Sequence, residues 1–329
     1  MIRTPLCDLL GIDVPVIQAP FGPWPSLELS AAVSNAGGLG SLGTALRSLD
    51  DLRREWAEMV ERTGGRAFAI NHTARPLDEE AFGASLEVRP RAVSFALGDP
   101  GDLVDRAHDA GVLFIQQVHT VDQAQRVAER GVDVIVAQGT EAGGFGGTVS
   151  TLALVPQVVD AVAPIPVVAA GGIADGRGLA AALVLGAQGV NLGTRFLAAA
   201  EAEVHPAWKE AIVSAASEDA VKLEFSDAVF PPGGPGSFGT RPRVLRTPFV
   251  DEWNGRPADV AAHARELGVE LLEAVRSGRA HELVPFTGQS AGLVHEVLPA
   301  AEILRLLVEH AEAALRSSLA SASSSSAGG

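Results

Sequence analysis

The sequence predicts an α/β protein: a (β/α)8 TIM barrel carrying a helical and loop insertion after strand 8. Three observations predict it. Short runs rich in Val, Ile and Ala alternate with amphipathic helical stretches, and eight such runs precede residue 198. The runs are also continuously apolar, as strands covered on both faces must be. A doubly wound sheet is the rival, but its GxGxxG fingerprint is missing, because the first strand runs into "QAPFGP".

The candidate strands are Val16–Gln18, Leu39–Leu42, Ala67–Asn71, Ala92–Leu97, Leu113–Val118, Val134–Gln138, Val167–Ala170 and Gly189–Leu192. Helical patterns at 27–36, 50–62, 77–87, 101–109, 121–130, 151–162 and 176–186 separate them. The second opens on "SLDDLRREW", with acids in the first turn where the helix dipole favours them. The fifth closes on Arg126, Arg130 and Gly131, a C-terminal signature. Beyond the eighth strand the alternation lapses. Helical stretches near 206–217 and 256–277 flank the turn-rich "FPPGGPGSFGTRP" of 230–242, and a last helix, Ala300–Leu315, completes the outer ring. The expected organisation is a barrel of residues 1–197 plus 299–316, a capping insertion of 198–298 and a disordered Ser/Ala tail of 317–329.

With 329 residues, 47% of them hydrophobic, the chain can bury a large core. Its net charge of −15 argues against a nucleic-acid partner, which requires basic patches. The lone Cys7 excludes an intramolecular disulfide and a cysteine metal cluster, and no His or carboxylate spacing suggests a metal site. The apolar runs are too short for a membrane span, and the first twenty residues lack a secretion signal's apolar stretch. A soluble, cytoplasmic protein is expected.

Ligands of such barrels sit at the C-terminal strand ends. The strongest signal there is "VVAAGGIADGRG" followed by "GVNLGTRF". Gly171, Gly172 and Gly193 let backbone amides converge and Thr194 adds a hydroxyl, which suits a phosphate; tight turns alone are the blander reading. Gln18, Asn71, Gln138 and Gln289 are neutral donor–acceptors able to hydrogen-bond a heterocycle, although a lone amide is commonly a satisfied structural group. Together they fit a ligand the size of FMN.

With those residues in view, the chain resembles the nitronate monooxygenase family (2-nitropropane dioxygenase-like) and the related FMN-dependent enoyl-acyl carrier protein reductases. The likeness is carried by "PVIQAPFG", "ELSAAVSNAGGLGSLGT", "FAINHT", "VIVAQGTEAGGFGG", "PVVAAGGIADGRGLAAALVLGAQGVNLGTRFL" and "GQSAGLV". It implies a barrel holding FMN noncovalently. Ala19 and Pro20 would lie beside the ring system, Asn71 would contact the cofactor, and Gln138 would meet the ring or ribityl chain. Gly171, Gly172, Gly193 and Thr194 would bind the phosphate, and Gln289 would approach from beyond the insertion. Gln116 and Gln117 stand where many relatives carry a lysine, so Gln117 is a neutral cofactor contact here.

The main departure is "EAGGFGGTVST", 141–151. The family's usual histidine, the base that removes the α-proton of a neutral nitroalkane, is replaced by Phe145. Phenylalanine accepts no proton, so Phe145 is expected to be an apolar wall, with Phe21 and Gly144 as neighbouring substrate contacts. Replacement bases are His72 at a strand end, then His119 and Glu141, each with a structural role as the alternative. His281 and His295 read as structural or rim residues. Arg241, Arg243 or Arg246, with Arg246 singled out, would meet an anionic substrate or else serve a solvated connector.

The expected function is FMN-dependent oxidation of alkyl nitronates, or a similar small anion, with O2. One alternative is NAD(P)H-dependent reduction of a quinone or enoyl substrate by the same flavin. A sugar-phosphate lyase or isomerase is a third reading, disfavoured because the only lysines, Lys209 and Lys222, fall in the insertion. A non-enzymatic flavin-binding scaffold is the blandest. A small-molecule substrate and a homodimer complete the expectations.

Overall fold

The structure, a computed structural model, describes residues 2–74, 77–229 and 239–324. Its strands are β1 (Val16–Gln18), β2 (Gly40–Gly43), β3 (Phe68–Thr73), β4 (Ala92–Ala96), β5 (Leu113–Val118), β6 (Val134–Gln138), β7 (Gly144–Gly146), β8 (Val167–Ala170), β9 (Gly189–Leu192), β10 (Ala220–Lys222) and β11 (Arg241–Leu245). The first helices are α1 (Pro5–Leu10), α2 (Leu27–Asn35), α3 (Leu49–Thr63), α4 (Glu79–Val88), α5 (Leu103–Asp109), α6 (Val121–Glu129), α7 (Thr151–Val162), α8 (Gly176–Val184) and α9 (Thr194–Leu197). They are followed by α10 (Pro206–Ser214), α11 (Ser226–Val229), α12 (Pro248–Trp253), α13 (Pro257–Arg276), α14 (Ala280–Leu283) and α15 (Ala300–Ser324).

Eight strands form one parallel sheet in the order β1-β9-β8-β6-β5-β4-β3-β2. A parallel bridge between Ile17 and Leu39 closes it, with Gln18 N donating to the Leu39 carbonyl at 2.9 Å. This is the expected (β/α)8 barrel. Strand side chains alternate between two cores. Ile17, Ala69, Ile115, Val134 and Val168 fill the interior, and α1 plugs its N-terminal end with Leu6 and Leu10. Val93, Phe114, Ile135 and Ala169 face outward against the helices.

The ring of helices closes through α15, whose Ile303, Leu304, Leu307 and Ala311 share a core with α2 and α8. Gly176 permits the close α8–α15 approach, since a Cβ there would strike the backbone of Ala311. Residues 317–324, expected to be disordered, belong to this helix. Once α15 is nucleated by its packed face, each further residue of the Ser/Ala sequence has only to propagate the helix. Residues 325–329 of that tail lie outside the described residues.

Between β9 and α15 the chain leaves the barrel and returns beside itself: Ala199 bridges Leu298, and Ala200 N donates to the Leu298 carbonyl at 2.9 Å. This excursion contributes a three-stranded sheet, β10-β11-β7, in which β7 comes from the glycine loop. Pro242 of β11 stands opposite Phe145. The turn-rich 230–238 portion lies outside the described residues.

Candidate active site

The C-terminal strand ends surround a cavity of about 250 Å3. Its floor and walls include Ala19 and Pro20 after β1, Asn71 and Thr73 of β3, Gln117 of β5, Gln138 of β6, Gly171 after β8, and Asn191, Gly193 and Thr194 at β9 and beyond. Phe21, Gly144 and Phe145 line it as well. No described lining residue is Asp, Glu, His, Lys, Arg, Cys or Tyr. Nor do the described residues hold a cluster of three or more His, Cys, Asp or Glu placed for a metal ion.

Each polar group has a definite state. Asn71 Nδ2 donates to Ser94 Oγ at 2.9 Å, which ties β3 to β4. Gln117 Nε2 donates to Gln138 Oε1 at 3.4 Å. Thr194 Oγ1 accepts from Gly288 N at 2.9 Å, leaving its own hydrogen to donate. Asn191 Oδ1 and Ser41 Oγ border the cavity and are buried without a hydrogen-bond partner among the described residues. Orphaned polar atoms of that kind fit a ligand that supplies the missing partners.

The glycine turns are fixed by geometry. Gly171 and Gly172 have φ of +99° and +72°, where a side chain is strained, and a Cβ at Gly171 would come within 3.0 Å of the Gly139 carbonyl. The second and third amides of α8 are already taken, because the Asp175 carboxylate accepts from Arg177 N and Gly178 N. An anion at this rim is therefore left with the turn amides and Thr194 rather than the start of α8.

Among the described residues, Phe21, Trp24, Phe95, Phe145, Trp208 and Phe286 line the cavity. Four of these form a continuous arc. Phe145 and Phe286 ring centres are 6.1 Å apart, Phe286 and Trp24 6.1 Å, and Trp24 meets Trp208 edge-on at 5.1 Å. Trp208 Nε1 donates to Thr287 Oγ1 at 3.0 Å, so its polar atom is satisfied away from the cavity.

The structure places several candidate residues away from the cavity wall. His72 does not enter the cavity: it alternates with Asn71 and Thr73, and its Nε2 lies 3.0 Å from Ser85 Oγ beneath α4. Burial pushes its pKa down to about 4. His119 is likewise buried, with burial again lowering its pKa to about 4. The Glu141 carboxylate accepts from Thr151 N at 3.0 Å and Thr151 Oγ1 at 2.9 Å, capping α7. Gln18 Oε1 accepts from Ser30 Oγ and Ser41 N at 2.8 and 2.9 Å, behind the wall. Gly172 and Gln289 are not lining residues; Ile173 and Ser290 are. Arg246 is exposed beside Asp251 at 3.5 Å and does not line the cavity. Asn191 was missed, although an amide inside the apolar "GVNL" strand was a readable signal. Trp24, Trp208 and Phe286 are separated in sequence and meet only in the fold.

Strand ends converging on a cleft of amides, hydroxyls, glycine turns and aromatic rings define a (β/α)8-barrel enzyme. The family model for nitronate monooxygenase matches residues 3–310, and the chain belongs to that family as an oxidoreductase. It is 38% identical to the (3aS,4S,5R,7aS)-5-hydroxy-7a-methyl-1-oxo-octahydro-1H-indene-4-carboxyl-CoA dehydrogenase of Mycobacterium tuberculosis, over 81% of this chain and 73% of that one. It is 34% identical to a "probable nitronate monooxygenase" of Staphylococcus saprophyticus, covering 90% of this chain and 94% of that one. Among solved structures, FabK from Thermotoga maritima superimposes with a TM-score of 0.87 at 35% identity, over 96% of this chain and 98% of that one. No described helix is long and apolar enough to cross a membrane.

Proposed function

We propose that the chain is an FMN-dependent oxidoreductase that oxidises preformed alkyl nitronates with O2 and does not act on neutral nitroalkanes. The observation that carries the reading is a cavity without an ionisable described residue, whose wall includes Phe145. FMN supplies the electron-transfer and oxygen chemistry when bound. The chain's residues bind and orient. Gly171, Gly193 and Thr194 would hold the phosphate, Asn191 and Ser41 would meet polar atoms of the ligand, and Gln117 and Gln138 would serve the ring. The aromatic arc receives the substrate's alkyl part and excludes water, with the 198–298 excursion acting as a cap.

A nitronate has already lost its α-proton, so no side chain has to accept one. Oxygen consumption separates the cases: pre-ionised nitronate is consumed, whereas neutral nitroalkane is consumed no faster than it ionises in buffer. Enzyme-dependent consumption of the neutral form beyond that rate refutes the proposal.

The aromatic arc itself favours a second reading, NAD(P)H-dependent reduction of a flat, uncharged acceptor such as a quinone. Anaerobic bleaching of the flavin by NADH or NADPH but not by nitronate decides for it.

A further inference from the structure

Two cations stand where ordinary sheet chemistry disfavours them. Lys222 of β10 and Arg243 of β11 are directly opposite in an antiparallel pair, an arrangement that is destabilising for like charges. Arg243 is buried and Lys222 half-buried. Neither forms an ion pair among the described residues; their partners are main-chain carbonyls. Lys222 Nζ donates to Gly146 O at 3.2 Å and to Arg241 O at 2.9 Å. Arg243 donates to Thr140 O through Nε at 3.1 Å and Nη2 at 2.9 Å, and to Ala220 O through Nη1 at 2.5 Å. The acid acting on both is Glu141, which is itself engaged by Thr151. The group therefore carries a net positive charge within a strongly acidic chain.

The charge sits one side chain behind the cavity wall. A Cβ placed on Gly146 would come 3.2 Å from Gln138 Oε1 and 3.3 Å from Lys222 Nζ, so the ammonium and the wall-forming carboxamide press on the same point. Gly144, opposite Arg243 in the third strand, contributes no side chain between this pair and the cavity.

We propose that Lys222 and Arg243 are positioning residues that give the cavity a positive potential and favour the negative charge that bound FMN acquires on reduction. The proposal rests on the flavin reading above. It also explains how a cavity without a charged wall serves an anionic reaction: the charge acts through Gln138 rather than by contact, in surroundings where screening by water is weak.

The test begins by loading the full-length protein with FMN and confirming one flavin per chain. Failure at this step refutes the flavin reading and the proposal with it. Sulfite, which places a negative charge on bound flavin, is then titrated by absorbance, and the flavin midpoint potential is measured separately. K222Q keeps a donor for the carbonyls and removes the charge. It is expected to weaken sulfite binding about tenfold or more and to lower the potential. K222R is expected to restore both, and E141Q, which removes the nearby negative charge, to shift both the opposite way. Unchanged sulfite affinity and potential in K222Q and E141Q overturn the proposal. Equal losses in K222Q and K222R, accompanied by weaker FMN retention, also overturn it, because they assign Lys222 only to holding the loop.

Discussion

Phe145 is the residue on which the proposed restriction to preformed nitronates rests. Its ring sits in the cavity wall, and no described neighbour there takes over as a proton acceptor. Phe145→His is therefore expected to confer oxidation of a neutral nitroalkane, raising its turnover by about a hundredfold or more at neutral pH while leaving nitronate oxidation in place. Oxygen-electrode assays with both substrate forms check this. Thr194 makes a second prediction, because its hydroxyl accepts from Gly288 N and keeps a proton for the ligand. Thr194→Val should weaken FMN about tenfold and riboflavin, which lacks the phosphate, far less, as fluorescence titration would show. The buried histidines carry a pH signature. His72 and His119 fall to about 4 in the fold, against roughly 6.5 in the unfolded chain. The unfolded state then binds more protons between these values, so stability is lost as pH falls from about 6.5 toward 4, by about 3 kcal/mol for each histidine. Chemical denaturation across that range checks the slope, and His72→Asn should make it shallower.

At the scale of elements, the barrel strands were legible because each is a short apolar run bounded by turn residues, a pattern independent of distant partners. β7 was not. Gly-Phe-Gly has little strand character of its own, and it becomes a strand because β11 pairs with it from nearly a hundred residues further on. His72 was misplaced for a different reason. Asn71 and His72 are adjacent in one strand, and period-two alternation allows only one of them to face the cavity; the sequence leaves the phase open, and the His72–Ser85 contact beneath α4 sets it. The glycine turn after β8 yields a prediction of its own. Gly171→Ala puts a Cβ at positive φ and against the Gly139 carbonyl, and should cost about 2 kcal/mol or more of stability together with FMN binding. Denaturant melts of the apo and FMN-loaded forms would separate the two losses. The aromatic arc was beyond sequence reading, since its rings come from the β1–α2 loop, β7, α10 and residue 286.

For the whole molecule, closure depends on both ends of the chain. α1 plugs one end of the barrel, and α15 seals the gap between α2 and α8. Deleting 300–329 should expose the apolar faces of α2 and α8 and abolish cooperative unfolding, whereas deleting 325–329 should leave the melting curve unchanged; circular dichroism of both truncations tests this. The bridge between Ala199 and Leu298 has a further consequence. The barrel meets the intervening residues as a loop pinned at two neighbouring points, and the entropy of such a closure grows only slowly with length. The loop's segments away from β11 and Gly288, which bond β7 and Thr194, can be lengthened, shortened or exchanged while the sheet beneath stays unchanged. Selectivity for what enters the cavity is thus free to diverge on its own evolutionary clock through the parts of this loop that stay clear of Thr194 and of the β7–β11 pairing.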